Sequence, residues 1–254
     1  MNTYSHLQAV ELFHLIFLRH VGENLDKGLY ALKGGCNLRF FMKSIRYSED
    51  LDIDIQTVAK DTLERKIGKI LNSKSLHHML NSRGIELNRT STPKQTETTQ
   101  RWKILLKVEG KEVLVPTKIE FSRRTLIERT QFEPIDPEMI QFYKLYPVLV
   151  NHYSKTTAFA QKLHALSNRN ITQARDIFDL KLLIEAGAII AKEPFHLQGI
   201  DVQRALENAK SLRWEDFKGQ VLAYLAHEYQ EYYSKEIWEK LHEEVLREIE
   251  KLKL

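Results

Sequence analysis

A single cysteine, Cys36, stands among the 254 residues, which excludes an internal disulfide and fits a reducing compartment. Long apolar runs are missing too: nothing approaches the roughly 20 consecutive apolar residues that cross a bilayer. The opening segment MNTYSHLQAVELFHLIFLRH has neither a basic leader nor a small-residue cleavage site. The expectation is a cytoplasmic protein without a membrane partner. No internal repeat or low-complexity tract is found, and His6, His14 and His20 have no matching set of acids or thiols, so they read as packing or surface histidines rather than metal ligands. What is present is ordinary for a soluble globular chain, with 43% hydrophobic and 28% charged residues, long enough for one large domain or two modest ones. The net charge of +4 is unevenly spread. From Lys60 to Lys107 there are eleven Lys and Arg against four Asp and Glu, a local balance of +7, whereas Glu228 to Leu254 has eight acids against five bases, a balance of −3. Charge alone suits either a solvated face or a polyanion such as RNA.

One stretch organises the rest: LKGGCNLRFFMKSIRYSEDLDIDI, from Leu32 to Ile55. An apolar run meets Gly34 and Gly35, a helix-compatible segment runs through Met42, and a second strand follows. On that strand Asp50, Asp52 and Asp54 share one face, while Leu51, Ile53 and Ile55 take the other. Carboxylates in a row repel one another and are tolerated where a cation neutralises them. Hard oxygen ligands of this kind suit Mg²⁺, which binds through one or two carboxylates plus substrate phosphates. Glycine backbone at a helix start can approach a phosphate closely and offers it free amides. Lys33 reads equally as a phosphate contact or a solvated lysine. Arg46 reads as a phosphate fork or as a counter-charge to the acids, and Ser48 lies beside it on the approach to Asp50.

The stretch resembles the nucleotidyltransferase signature of the DNA polymerase β superfamily. More narrowly, KGG, NLRFF and RYSEDLDID are similar to the AbiEii family of nucleotidyltransferase toxins, in which Cys36 stands where Ser or Thr is more usual. The resemblance continues in FAQKLHALSNRNITQARDIFDLKLLIEAG, where Lys162, Arg169, Arg175, Asp176 and Asp179 match the later motifs of that family. It implies that Asp50, Asp52 and Glu120 hold Mg²⁺, with Glu120 as a third carboxylate on a later strand. Lys33, Gly34, Gly35, Arg46, Ser48 and Lys162 would bind a nucleoside triphosphate. Asp176 would close the site, and Asp179 reads as structural. On residues alone, Glu120 reads as an outward strand acid paired with Lys118 or Arg123, and Asp176 as a helix cap or a partner of Arg169 or Arg175. The resemblance further implies nucleotide transfer to an acceptor hydroxyl, with tRNA as the acceptor and a separately encoded antitoxin as partner. Transfer to a small aminoglycoside-like compound, or a silent nucleotide- or RNA-binding module, are the rival readings.

The expected architecture is α+β: a nucleotidyltransferase domain over residues 1–147, with a mixed sheet and helices, then a helical domain over 148–254, the active site lying in the cleft between them. Hydrophobic periodicity predicts helices over residues 4–20, 61–82, 155–166, 172–186, 201–209, 214–233 and 235–252. Strands are expected at 102–109 and 112–121. Residues 89–100, polar and containing Pro93, read as a loop.

Overall fold

The computed structural model describes residues 4–124, 126, 130–188 and 199–252. The chain separates into two compact units: Met1–Phe41 with Tyr47–Tyr153, and Met42–Arg46 with Ser154–Leu254.

The first unit is an α+β layer built on a seven-stranded mixed sheet, in the order β3-β4-β5-β2-β1-β7-β6. Its strands are β1 (Tyr30–Lys33), β2 (Asp50–Ile55), β3 (Ile85–Gln95), β4 (Thr99–Val108), β5 (Val115–Arg123), β6 (Thr130–Pro134) and β7 (Leu149–Tyr153). Two neighbouring pairs, β2 with β5 and β1 with β7, are parallel, and the rest are antiparallel. One face is apolar: Leu32, Leu51, Ile53, Trp102, Ile104, Ile119 and Phe121 are buried there. The helix α1 (His6–Asn24) packs on it, flanked by α3 (Lys60–Leu71) and α4 (Lys74–Asn81). A capping box at Ser5 and Gln8 starts α1, and its interior from Ala9 to Leu18 is buried. The short helices α2 (Gly34–Phe41) and α5 (Pro137–Phe142) complete the unit.

Several sequence expectations change here. Residues 89–100 are not a loop. They form the outer part of the β3–β4 hairpin, turned at Thr96 to Thr99. β3 is the sheet edge, exposed along most of its length, so it has little of the alternating hydrophobicity that marks a strand. Pro93 is accommodated because an edge strand need not donate every amide, and the pairing shifts register between Ser91 and Lys94. The helix expected at 61–82 breaks at Asn72 and Ser73, where the Ser73 hydroxyl accepts from the Leu76 amide and starts α4. β7, for which the sequence predicts no strand, pairs with both β1 and β6, so the sheet runs to Tyr153.

The second unit is helical, with α6 (Lys155–Asn168), α7 (Ala174–Glu185), α8 (Val202–Lys210), α9 (Trp214–Gln220), α10 (His227–Tyr232) and α11 (Lys235–Glu250). Gly187, at φ +70°, ends the α7 segment, a conformation that favours glycine. The helix expected at 214–233 is divided between α9 and α10. Its core is aromatic: Phe217 stacks on Trp238 at 4.7 Å between ring centroids and meets Phe178 at 6.0 Å. Among the described residues no helix is long and apolar enough to cross a membrane.

Candidate active site

The polar face of the sheet carries the charged residues that the helix-covered face excludes. Strand register sets them in rows, because residues paired across neighbouring strands point to the same side. Lys33, Asp52, Glu120 and Arg101 form one row across β1, β2, β5 and β4. Asp50, Lys118 and Lys103 form the next.

Within these rows most charges are matched. The Lys118 ammonium lies 2.8 Å from an Asp50 oxygen. Arg101 grips one Glu120 oxygen through Nε at 2.7 Å and Nη2 at 2.6 Å. Lys33 pairs with the buried Asp54, which also accepts from the Tyr153 hydroxyl at 3.0 Å. Asp52 differs: among the described residues it has neither an ion pair nor a hydrogen bond. Burial, reinforced by the Asp50 and Glu120 charges and opposed by Lys118 and Lys33, pushes its carboxyl above the usual carboxylate range.

Gly34 lies directly against this carboxylate. It holds φ +68°, and a Cβ built there would stand 3.0 Å from an Asp52 oxygen, so both the backbone turn and the space require glycine. Gly34 and Gly35 open α2, whose first amides have no partner within the helix. The Asp52 carboxylate and the amides at the start of α2 therefore adjoin.

The start of β2 is fixed from behind by a buried polar relay that sequence reasoning missed. The Thr117 hydroxyl donates to the Glu49 carbonyl at 2.6 Å, and the Cys36 thiol and Ser48 hydroxyl contact the Asp50 carbonyl at 3.2 and 2.9 Å. His14 Nε2 meets the Thr117 hydroxyl at 2.8 Å, and its Nδ1 lies 3.5 Å from the Cys36 sulfur. Burial lowers the His14 pKa to about 3, so the ring is neutral. Thr117 spends its proton on Glu49, so His14 carries its own on Nε2. Cys36 thus faces inward, supporting the strand. The signal for this role was the helical spacing that turns His14 toward the sheet.

The remaining expected site residues belong to the second unit. Arg46 reaches Asp179 through Nε at 3.3 Å and Nη2 at 3.0 and 3.1 Å. Lys162 lies 2.6 Å from Asp179 and 3.3 Å from Asp176, and Arg169 lies 3.3 Å from the other Asp176 oxygen. Both carboxylates are fully buried. Although burial opposes it, Arg46 and Lys162 hold the Asp179 carboxyl below its ordinary value. Lys162 has its anions within the unit, so a phosphate contact from it requires a carboxylate to give way.

No group of three or more His, Cys, Asp and Glu side chains is gathered for a metal ion among the described residues. Asp52, with no ion pair or hydrogen bond of its own among the described residues, has its oxygens open to a cation that takes its other ligands from a phosphate substrate.

Comparison with known proteins gives this geometry a context. In fold the chain is similar to JHP933 of Helicobacter pylori, with a TM-score of 0.59 at 18% identity over 98% of this chain and 96% of that one. It is also similar to MenT4, a nucleotidyltransferase toxin of Mycobacterium tuberculosis H37Rv, with a TM-score of 0.63 at 16% identity over 97% and 91%. No curated protein matches it. The model of the nucleotidyl transferase AbiEii toxin family, of type IV toxin–antitoxin systems, matches residues 16–249. With nearly its whole length matched, the chain belongs to the AbiEii family of toxins and is a nucleotidyltransferase.

Proposed function

We propose that the protein transfers a nucleoside monophosphate from a nucleoside triphosphate to a hydroxyl of tRNA, with Mg²⁺ held by Asp50 and Asp52. The observation that carries this reading is the Asp52 carboxylate, which has no ion pair or hydrogen bond of its own among the described residues, set against Gly34 and in register with Glu120. Bound there, Mg²⁺ would neutralise the phosphates and favour loss of pyrophosphate. Gly34 and Gly35 present backbone amides to the triphosphate, and Lys33 stands at the end of the adjoining strand. Glu120 serves as the third carboxylate once Arg101 releases it, completing the metal shell or taking the proton of the attacking hydroxyl. The buried His14, Thr117 and Cys36 relay keeps Asp50 and Asp52 in place while charge moves, which is positioning rather than chemistry. Membership of a type IV toxin family supports a further element: a separately encoded antitoxin that opposes the activity.

The test is incubation of the protein with Mg²⁺, total tRNA and each α-labelled nucleoside triphosphate in turn. Label should enter tRNA with the native protein and fall at least about 1,000-fold with Asp50→Ala or on chelation of the metal. Label on a small hydroxylated compound but never on tRNA would replace the acceptor and keep the site. Undiminished transfer by Asp50→Ala would remove the site.

A further inference from the structure

Beyond the carboxylates, the same polar face continues to the sheet edge. On β4, Trp102, Ile104, Leu106 and Val108 are buried on the helix side, so strand alternation turns Arg101, Lys103 and Lys107 to the other side. Register extends the row to β3, where Lys94 is opposite Arg101 and Arg89 is opposite Leu105. The same register ties this surface to the candidate site, through Lys103 to Lys118 to Asp50 and through Arg101 to Glu120 to Asp52.

Part of the charge on this surface is unmatched, and the one acid of β3, Glu86 opposite Lys107, makes no ion pair with it. Arg101 and Lys118 are taken by Glu120 and Asp50. Arg89, Lys94, Lys103 and Lys107 are exposed, and none has an ion pair or hydrogen bond among the described residues. The exposed cations of the last helix behave differently, although Arg65, Lys69 and Lys74 are also without an ion pair among the described residues. On α11, Lys235, Lys240, Arg247 and Lys251 each pair with a glutamate three or four residues away, as expected of a solvated helix face. Strand geometry places Lys103 and Lys107 about 13 Å apart, and Lys103 about 10 Å from Asp50 across two strand spacings. A set of cations without partners, lying on the same face as the candidate carboxylates, suits a polyanion whose end is delivered to those carboxylates.

We propose that the β3–β4–β5 face is the track on which the acceptor RNA lies, with Arg89, Lys94, Lys103 and Lys107 contacting backbone phosphates. The inference rests on RNA being the acceptor. Phosphate contacts of this kind release counterions and read no base, so the track supplies affinity and salt dependence rather than sequence choice.

Lys103→Ala/Lys107→Ala and Lys103→Glu/Lys107→Glu variants test it, after thermal melting confirms that both fold. Total tRNA binding is titrated across salt concentrations, and transfer kinetics are measured with tRNA and nucleotide varied separately. For the alanine variant the slope of log affinity against log salt should become shallower by about 2. For the glutamate variant the KM for tRNA should rise about tenfold or more while the KM for nucleotide stays unchanged. An unchanged slope and unchanged KM for tRNA, with tRNA still labelled, would overturn the track and leave the acceptor reading standing. Failure of the native protein to bind or label tRNA would overturn both. Unchanged tRNA kinetics with loss of neutralisation by an antitoxin would assign the face to a protein partner and overturn the track.

Discussion

Asp50 and Asp52 sit two residues apart on one strand, yet their surroundings differ in a way that stability can report. Asp50, with a third of its side chain exposed, is matched by Lys118. Asp52 has no such partner, and burial holds its carboxyl above the ordinary range. A raised carboxyl favours the folded state while it is protonated, and that contribution is lost as pH rises from the unfolded value, about 3.9, through the higher folded one. Asp52→Asn should therefore melt at a higher temperature than the native protein near pH 7. The gain should shrink as pH falls below about 4, where both proteins are neutral at this position. Equal or lower melting of the variant at neutral pH would mean that Asp52 is already compensated. The two aspartates and the glycine pair beside them were legible because their requirements are local: alternation fixes the face and a tight turn fixes the glycines. The partner of each charge was not, because Lys118 and Arg101 reach theirs through a register between strands that lie far apart in the chain.

At the level of elements, α6 and α7 follow the expected periodicity closely, but the ion network that ties them to residues 42–46 was invisible in it. Sequence spacing placed Lys162 near an apolar stripe and suggested an anion; the structure supplies that anion from Asp176 and Asp179 on the next helix. Removing one member of a buried set strands the others, at a cost of about 3–5 kcal/mol. Asp179→Ala, which removes the carboxylate shared by Arg46 and Lys162, should destabilise the protein on that scale in chemical denaturation at pH 7. Because the Asp179 carboxyl lies below its ordinary value, its contribution is present above that value and fades only as pH falls through the lowered one. A loss within about 0.5 kcal/mol, that of an ordinary surface change, would contradict the network's role. The edge strand β3 escaped for a different reason. Exposed Ser, Thr, Lys and Pro give no hydrophobic signal, and its strand character comes from pairing with β4.

At the scale of the whole molecule, the chain divides into a sheet-bearing unit and a helical one, and the five residues between Phe41 and Tyr47 belong with the helical unit although both flanks belong with the sheet. The expected boundary at residue 147 preceded β7, whose place in the sheet depends on the distant β1 and β6. The family membership rests on nearly the full length, while the candidate carboxylates, their glycine turn and the free cations all belong to the sheet-bearing unit. The most direct test of this account uses the variant that should fold best and work least. Native protein and Asp52→Asn are incubated with Mg²⁺, total tRNA and α-labelled nucleoside triphosphates, and melting is recorded on portions of the same preparations kept free of metal and nucleotide. The account predicts labelled tRNA from the native protein and none from an Asp52→Asn protein that melts at a higher temperature than the native protein. Labelling by that variant at the native rate would contradict it.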